Sequence, residues 1–142
     1  MSARAIAAWF AMVPIAITNG GVRDILIVPA AGPAAGHVIS TVMLCAAILL
    51  VTWITIDWMR PASLRDAARI GITWLALTLA FEFLAGHYVF GTPWGRLLAD
   101  YNLAEGRVWI LVPITTAIAP WLVARARHIV SPPVHQVASD VR

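Results

Sequence analysis

The chain has 142 residues, of which 61% are apolar and 12% charged, with a formal net charge of +3. Soluble domains carry roughly 25% charged residues, so this composition argues for a chain solvated mostly by lipid, with no separate soluble domain. All ten basic residues are arginine. They sit at the ends of apolar runs rather than on one face, which argues against a nucleic-acid partner. The absence of lysine excludes Schiff-base chemistry, a retinal linkage included.

Apolar runs nearly free of charge cover Val38–Ile56, Ile70–Phe81 and Val108–Ala124, and a transmembrane helix needs about 20 such residues. Arg4 and the run Ala5–Thr18 have the outline of a signal peptide. We take the segment as retained and as span one, about Ala5 to Val28. Pro14 is placed to kink it. Asn19-Gly20-Gly21 loosens it, and Arg23-Asp24 follow. The alternative is a shorter helix ending at Asn19 followed by a re-entrant stretch, which needs cover from protein or water. Pro29–Gly36 reads as a turn.

Span two covers about Gly36–Asp57. His37, Thr41, Ile48, Thr52 and Thr55 share one side of it, with Ser40 beside them. Such a stripe packs against neighbouring helices, where hydroxyls bond across. The one cysteine, Cys45, lies mid-span as a small packing residue; no intrachain disulfide or CxxC motif is possible. Ser63 caps the next helix, with Asp66 three residues on. Span three covers about Arg69–Phe90. Thr92 and Pro93 then open a short amphipathic interfacial helix over about Pro93–Glu105, with Trp94, Leu97, Leu98 and Tyr101 at helical spacing. Span four covers about Val108–Ala124 and is bent by Pro113 and Pro120. Residues 128–142, with Ser131-Pro132-Pro133, read as a flexible cytoplasmic tail. The expected fold is an all-α membrane protein. It is a single four-transmembrane-helix bundle over residues 1–127, with an interfacial helix between spans three and four.

Four spans place both termini on one side. That side holds Arg4, Arg60, Arg65, Arg69, Arg125, Arg127 and Arg142; the other holds Arg23, Arg96 and Arg107. The excess predicts cytoplasmic termini. Trp9, Trp58, Trp74 and Trp121 then read as an inner aromatic belt, and Trp94 and Trp109 as an outer one.

This orientation gathers the unusual polar residues in the outer half. Glu82 lies roughly 12 Å below the outer end of span three, Asn19 roughly 13 Å and Arg23 roughly 8 Å below that of span one. A carboxylate in an apolar span costs about 2.5 kcal/mol or more and is a functional candidate for that reason. Arg23 is its expected partner, with Asp24 or Arg107 as alternatives. Asn19, His37 and Tyr88 would line the site, and the segment with Trp94, Asp100 and Tyr101 would cover it. Thr78, Glu82 and Gly86 share a face. The competing reading is a permanent ion pair that sets helix register. His37 and His87 lie near the outer ends of neighbouring spans and raise the alternative of haem or, with Glu82, zinc. Glu82 and His87 are about 140° apart around an α-helix, which disfavours a shared metal. No cofactor is expected.

Asn19-Gly20, Arg23-Asp24, His37, Phe81-Glu82-Phe83, Gly86, Tyr88, Gly91, Trp94, Leu97, Asp100-Tyr101-Asn102, Gly106-Arg107 and Trp109 resemble the pattern of a family of small uncharacterised bacterial membrane proteins. The resemblance covers most of the chain except the tail. It implies a four-span inner-membrane protein and carries no activity. Small multidrug transporters place their membrane glutamate in the first span, and thiol oxidases need cysteine pairs, so neither fits. The leading expectation is a small transporter, permease or channel-like protein around Glu82, with a homo-oligomer as its working form. The alternatives are a non-enzymatic structural or accessory subunit, and a haem or metal protein using His37 and His87.

Overall fold

A computed structural model describes residues 3–99, 101–102 and 108–128, and all its secondary structure is helical. Three helices are long and apolar enough to cross a membrane: α1 (Ala3–Ala31, 29 residues), α2 (Pro33–Met59, 27 residues) and α3 (Leu64–Val89, 26 residues). At 1.5 Å per residue each exceeds about 38 Å, against a hydrocarbon core of about 30 Å. A six-residue helix, α4 (Trp94–Ala99), follows. The last, α5 (Leu111–Ala126), is apolar but has only 16 residues, about 24 Å of helix.

Several local expectations change in the structure. α1 runs unbroken through Asn19–Asp24 and widens into π geometry over Arg23–Ile27. The turn expected over Pro29–Gly36 contracts to Gly32, whose φ of +86° is a conformation glycine adopts at little cost. The helix resumes at Pro33, where a fixed φ suits the first turn. Gly36 makes this corner tight, since a Cβ there would lie 2.7 Å from the Val28 side chain. α3 begins at Leu64 rather than Arg69, because Ser63 caps it by accepting the Asp66 N–H at 3.1 Å. Of the helix expected over about Pro93–Glu105, the short α4 is present; Asp100 and residues 103–105 lie outside the described residues, as do residues 106–107 and residues 129–142 of the tail.

The core gathers at the end of the bundle that carries the chain start and the α2–α3 connection, here the base. Ile56, Ala67, Trp74, Ala119 and Ala124 are buried there. Trp74 is fully buried and donates through its indole N–H to the Ala5 carbonyl at 2.8 Å. Trp9 is buried too and donates to the Thr78 hydroxyl at 3.0 Å. These two therefore tie α1 to α3 and do not serve as belt residues. Trp58 remains half exposed beside Arg4, as a belt residue would. The closest approach joins α3 and α5, where a Cβ on Gly71 would lie 1.8 Å from the Ala117 carbonyl oxygen. The hydroxyl stripe of α2 packs inside, with Ser40, Thr41 and Thr52 buried. Its hydroxyls do not bond across: Thr41, Thr52 and Thr55 donate to carbonyls one turn back in their own helix.

Neighbour relations set the shape. α1 packs on α2, α2 on α5, and α5 on α3, while α1 meets α3 only where the two indoles tie them. Toward the other end, here the top, no Cα of α1 approaches the π-helical part of α3. Among the described residues the bundle is thus a ring with a seam between α1 and α3, above the contacts of Trp9 with Thr78 and Phe81.

Candidate functional site

The seam leads into a cavity of about 500 Å³. Its α1 wall is Trp9, Met12, Val13, Ala16, Ile17, Gly20, Gly21, Arg23 and Asp24. These follow one another at three- and four-residue spacing, so they form one helical face. In its upper part that face carries Ala16, Gly20 and Gly21, and a Cβ on either glycine would meet none of the described residues within 4 Å. Small side chains with no partner helix pressed against them leave the space open. Leu44 and Ile48 of α2 and Val112 and Thr116 of α5 form the back wall. The α3 wall is Thr78, Phe81, Glu82, Phe83 and Gly86, with Phe90 just past its end.

Glu82 stands in a π-helical segment, Phe81–Val89, where for instance the Phe90 N–H reaches the Ala85 carbonyl five residues back at 2.9 Å. Segments of this geometry are rare and recur at functional sites. Both wide-helix segments, this one and Arg23–Ile27, border the cavity. One carboxylate oxygen of Glu82 accepts the Trp109 indole N–H at 3.0 Å, and the other accepts the Tyr101 hydroxyl. Hydrogen bonds to an ionised acceptor are worth about 1.5–3 kcal/mol each. Two of them offset much of the cost of placing a carboxylate at this depth.

Above Glu82 the wall is capped by aromatic stacking. Phe83 stacks on Tyr101 and on Trp94, with centroids 5.9 and 6.4 Å apart. Trp94 stacks in turn on His87 at 4.2 Å. His87 donates through Nδ1 to the Thr92 carbonyl at 3.0 Å, an acceptor that fixes this nitrogen as the protonated one. Leu97 of α4 sits against Gly86, where a Cβ would lie 2.9 Å from its methyl carbon. Gly86 thus admits a side chain of the covering helix, not the backbone of a neighbouring span.

The expected site residues divide. Glu82, Arg23, Asp24 and Tyr101 all border the cavity. Arg23 forms its ion pair with Asp24 at 2.8 Å, so the expected Glu82–Arg23 pair is replaced by a local one. Asn19 turns away and donates to the Ser40 carbonyl at 3.0 Å, joining α1 to α2. His37 lies against the Trp109 ring at 6.3 Å. Tyr88 is 74% exposed, with its edge on His87 and Trp94. Trp94 belongs to the cover. Asp100 and Arg107 lie outside the described residues. His37 and His87 contact different aromatic partners, and among the described residues no three of His, Cys, Asp and Glu are grouped to hold a metal. Trp109 and Trp9 read in the sequence as belt residues and not as site residues, because each lies near the end of its span. The available signal was that a buried indole N–H needs an acceptor, and Glu82 and Thr78 are the acceptors the sequence offers in an otherwise apolar span.

Among the described residues the fold is all-helical, with three helices suited to cross a bilayer and a carboxylate-bearing cavity lined by all three and by α5. No family model, no curated protein and no solved structure matches the chain.

Proposed function

We propose that this is a four-span bacterial inner-membrane protein of the transporter or permease type, whose site is the cavity at Glu82. α5 supplies the fourth span; at about 24 Å it crosses only with local thinning of the bilayer or with help from the turn before it. The arginine excess at the base supports a cytoplasmic assignment for that end of the bundle. The observation that carries the reading is Glu82 in the wall of a sizeable cavity, held by donors from two other segments. An ionisable group in an apolar span is a functional candidate by default. Trp9 and Thr78 close the cavity toward the base, so it faces the outer half of the membrane.

The test needs no known substrate. Vesicles containing the protein are loaded with an isotope-labelled cell extract, and the external medium is followed by mass spectrometry. Wild-type vesicles release at least one compound that empty vesicles and Glu82→Gln vesicles retain. Identical release from all three contradicts transport.

One observation favours a second reading. The hydrogen bonds to Glu82 join α3, the Tyr101 turn and the segment leading into α5, as a purely structural carboxylate in an accessory subunit would. That reading expects Glu82→Gln to lower the melting temperature and to change nothing else.

A further inference from the structure

We propose that the base of the bundle holds the head of an anionic phospholipid between Arg4 and Arg60, beside the Trp58 ring. The site is separate from the Glu82 cavity and does not depend on it. Three observations support it. The first is charge at the right depth. Among the described residues the acids at the base are Asp57 and Asp66, and each already pairs with an arginine, Arg127 at 2.7 Å and Arg69 at 3.3 Å. Arg4, Arg60, Arg65 and Arg125 stand there with no acidic partner among the described residues. Arg4 is the second residue of α1, Arg60 the first past α2, and Arg65 the second of α3. Helices long enough to span the hydrocarbon core bring such end residues to the level of the lipid heads.

The second observation is preorganisation. Arg4 donates through Nη1 to the Trp58 carbonyl at 3.1 Å and lies over the Trp58 ring, 6.0 Å from its centroid. That bond holds the guanidinium in place and engages one of its five donors. It also occupies a carbonyl at the negative end of α2 that would otherwise repel a phosphate. The Cα of Arg60 is two residues on, within about 8 Å of that of Trp58, so both cations are anchored around one half-exposed indole. The third observation is the backbone of Arg60. It ends α2 in the left-handed conformation, with φ +51°, and Pro61 disfavours the α region for it. Glycine or asparagine suits that position better. Backbone conformation therefore does not explain an arginine here, and a strained residue of this kind points to a use for its side chain. Two arginine forks match a phosphate diester. Phosphatidylcholine carries the same phosphate but cancels its charge with an ammonium, so the site selects a head without one.

The test is native mass spectrometry of the full-length protein in neutral detergent, titrated with equal amounts of dioleoylphosphatidylglycerol and dioleoylphosphatidylcholine. The expected result is a first phosphatidylglycerol adduct about tenfold tighter than the first phosphatidylcholine adduct. Arg4→Gln and Arg60→Gly should each weaken it about tenfold, the loss of one charge-assisted contact. Arg96→Gln, which removes a charge from α4 at the other end, should leave it unchanged. Arg60→Gly separates the site from the fold. It relieves the left-handed strain, so in detergent alone it should melt no lower than wild type. Equal affinity for the two lipids overturns the site, as does an affinity for phosphatidylglycerol that Arg60→Gly leaves unchanged. An equal loss in Arg96→Gln, or a loss in Arg60→Gly that comes with a lower melting temperature, also overturns it. Displacement of phosphatidylglycerol by glycerol 3-phosphate at a similar concentration overturns the lipid and makes the ligand a free phosphate ester.

Discussion

Replacing Gly71 by alanine should destabilise the protein, although the same change stabilises an ordinary helix. Gly→Ala in a helix interior gains about 1 kcal/mol from propensity. At Gly71, however, the new Cβ would lie 1.8 Å from the Ala117 carbonyl oxygen, whereas ordinary contact begins near 3.4 Å. The obstacle is backbone in the middle of α5, so no rotamer relieves it. α3 and α5 must therefore separate by about 1.5 Å, the shortfall from ordinary contact. That movement loosens Ile70, Trp74 and Ala119, which are at most 5% exposed. Overpacking of a tight core costs about 1–3 kcal/mol and more when backbone blocks relaxation, so the net effect is a loss of about 1–2 kcal/mol after the propensity gain. Gly20→Ala is the internal control, since its Cβ meets nothing within 4 Å. It should be neutral or stabilise by up to about 1 kcal/mol. Unfolding of both variants in mixed micelles, followed by circular dichroism, gives the two differences on one scale. A Gly71→Ala variant as stable as wild type, or a Gly20→Ala variant equally destabilised, would refute the close α3–α5 packing.

Two further substitutions probe features at the base. Ser63→Ala removes the acceptor for the Asp66 N–H and should cost about 1 kcal/mol in the same assay; amide exchange should rise over the first turn of α3 and not elsewhere. Asp57→Asn removes the ion pair with Arg127 at 2.7 Å, but Asp57 is 57% exposed. Arg127 also donates to the Trp53 carbonyl and stacks on its ring, so the loss should stay below about 1 kcal/mol and shrink further in high salt.

What could be read from the sequence followed from local chemistry. The long apolar runs required helices of bilayer length, the Ser63–Asp66 spacing required a cap, and a carboxylate among Phe81, Phe83 and Leu84 had to be a point of interest. What could not be read depended on distant partners or on backbone detail. The indoles of Trp9 and Trp74 bond to groups 69 residues away, and periodicity alone cannot tell such ties from a belt. Arg23 was expected to seek Glu82. It takes Asp24, one residue along, where less side-chain freedom is lost to form the pair. The widening of α1 and α3 into π geometry, and the contraction of a proline- and glycine-rich stretch to a turn at Gly32 alone, leave no mark on hydropathy. The cavity itself is an absence. It was foreshadowed only by Ala16, Gly20 and Gly21 on one helical face, a pattern that would equally admit a closely packed neighbour.

The central claim is that the cavity at Glu82 holds a small molecule. Native mass spectrometry of the detergent-purified protein, released gently enough to retain what is bound, tests it most directly when wild type and Glu82→Gln are compared. The account predicts a discrete small-molecule increment on wild type that is lost from Glu82→Gln. A wild-type protein that carries no increment, or one that the variant retains unchanged, would contradict it.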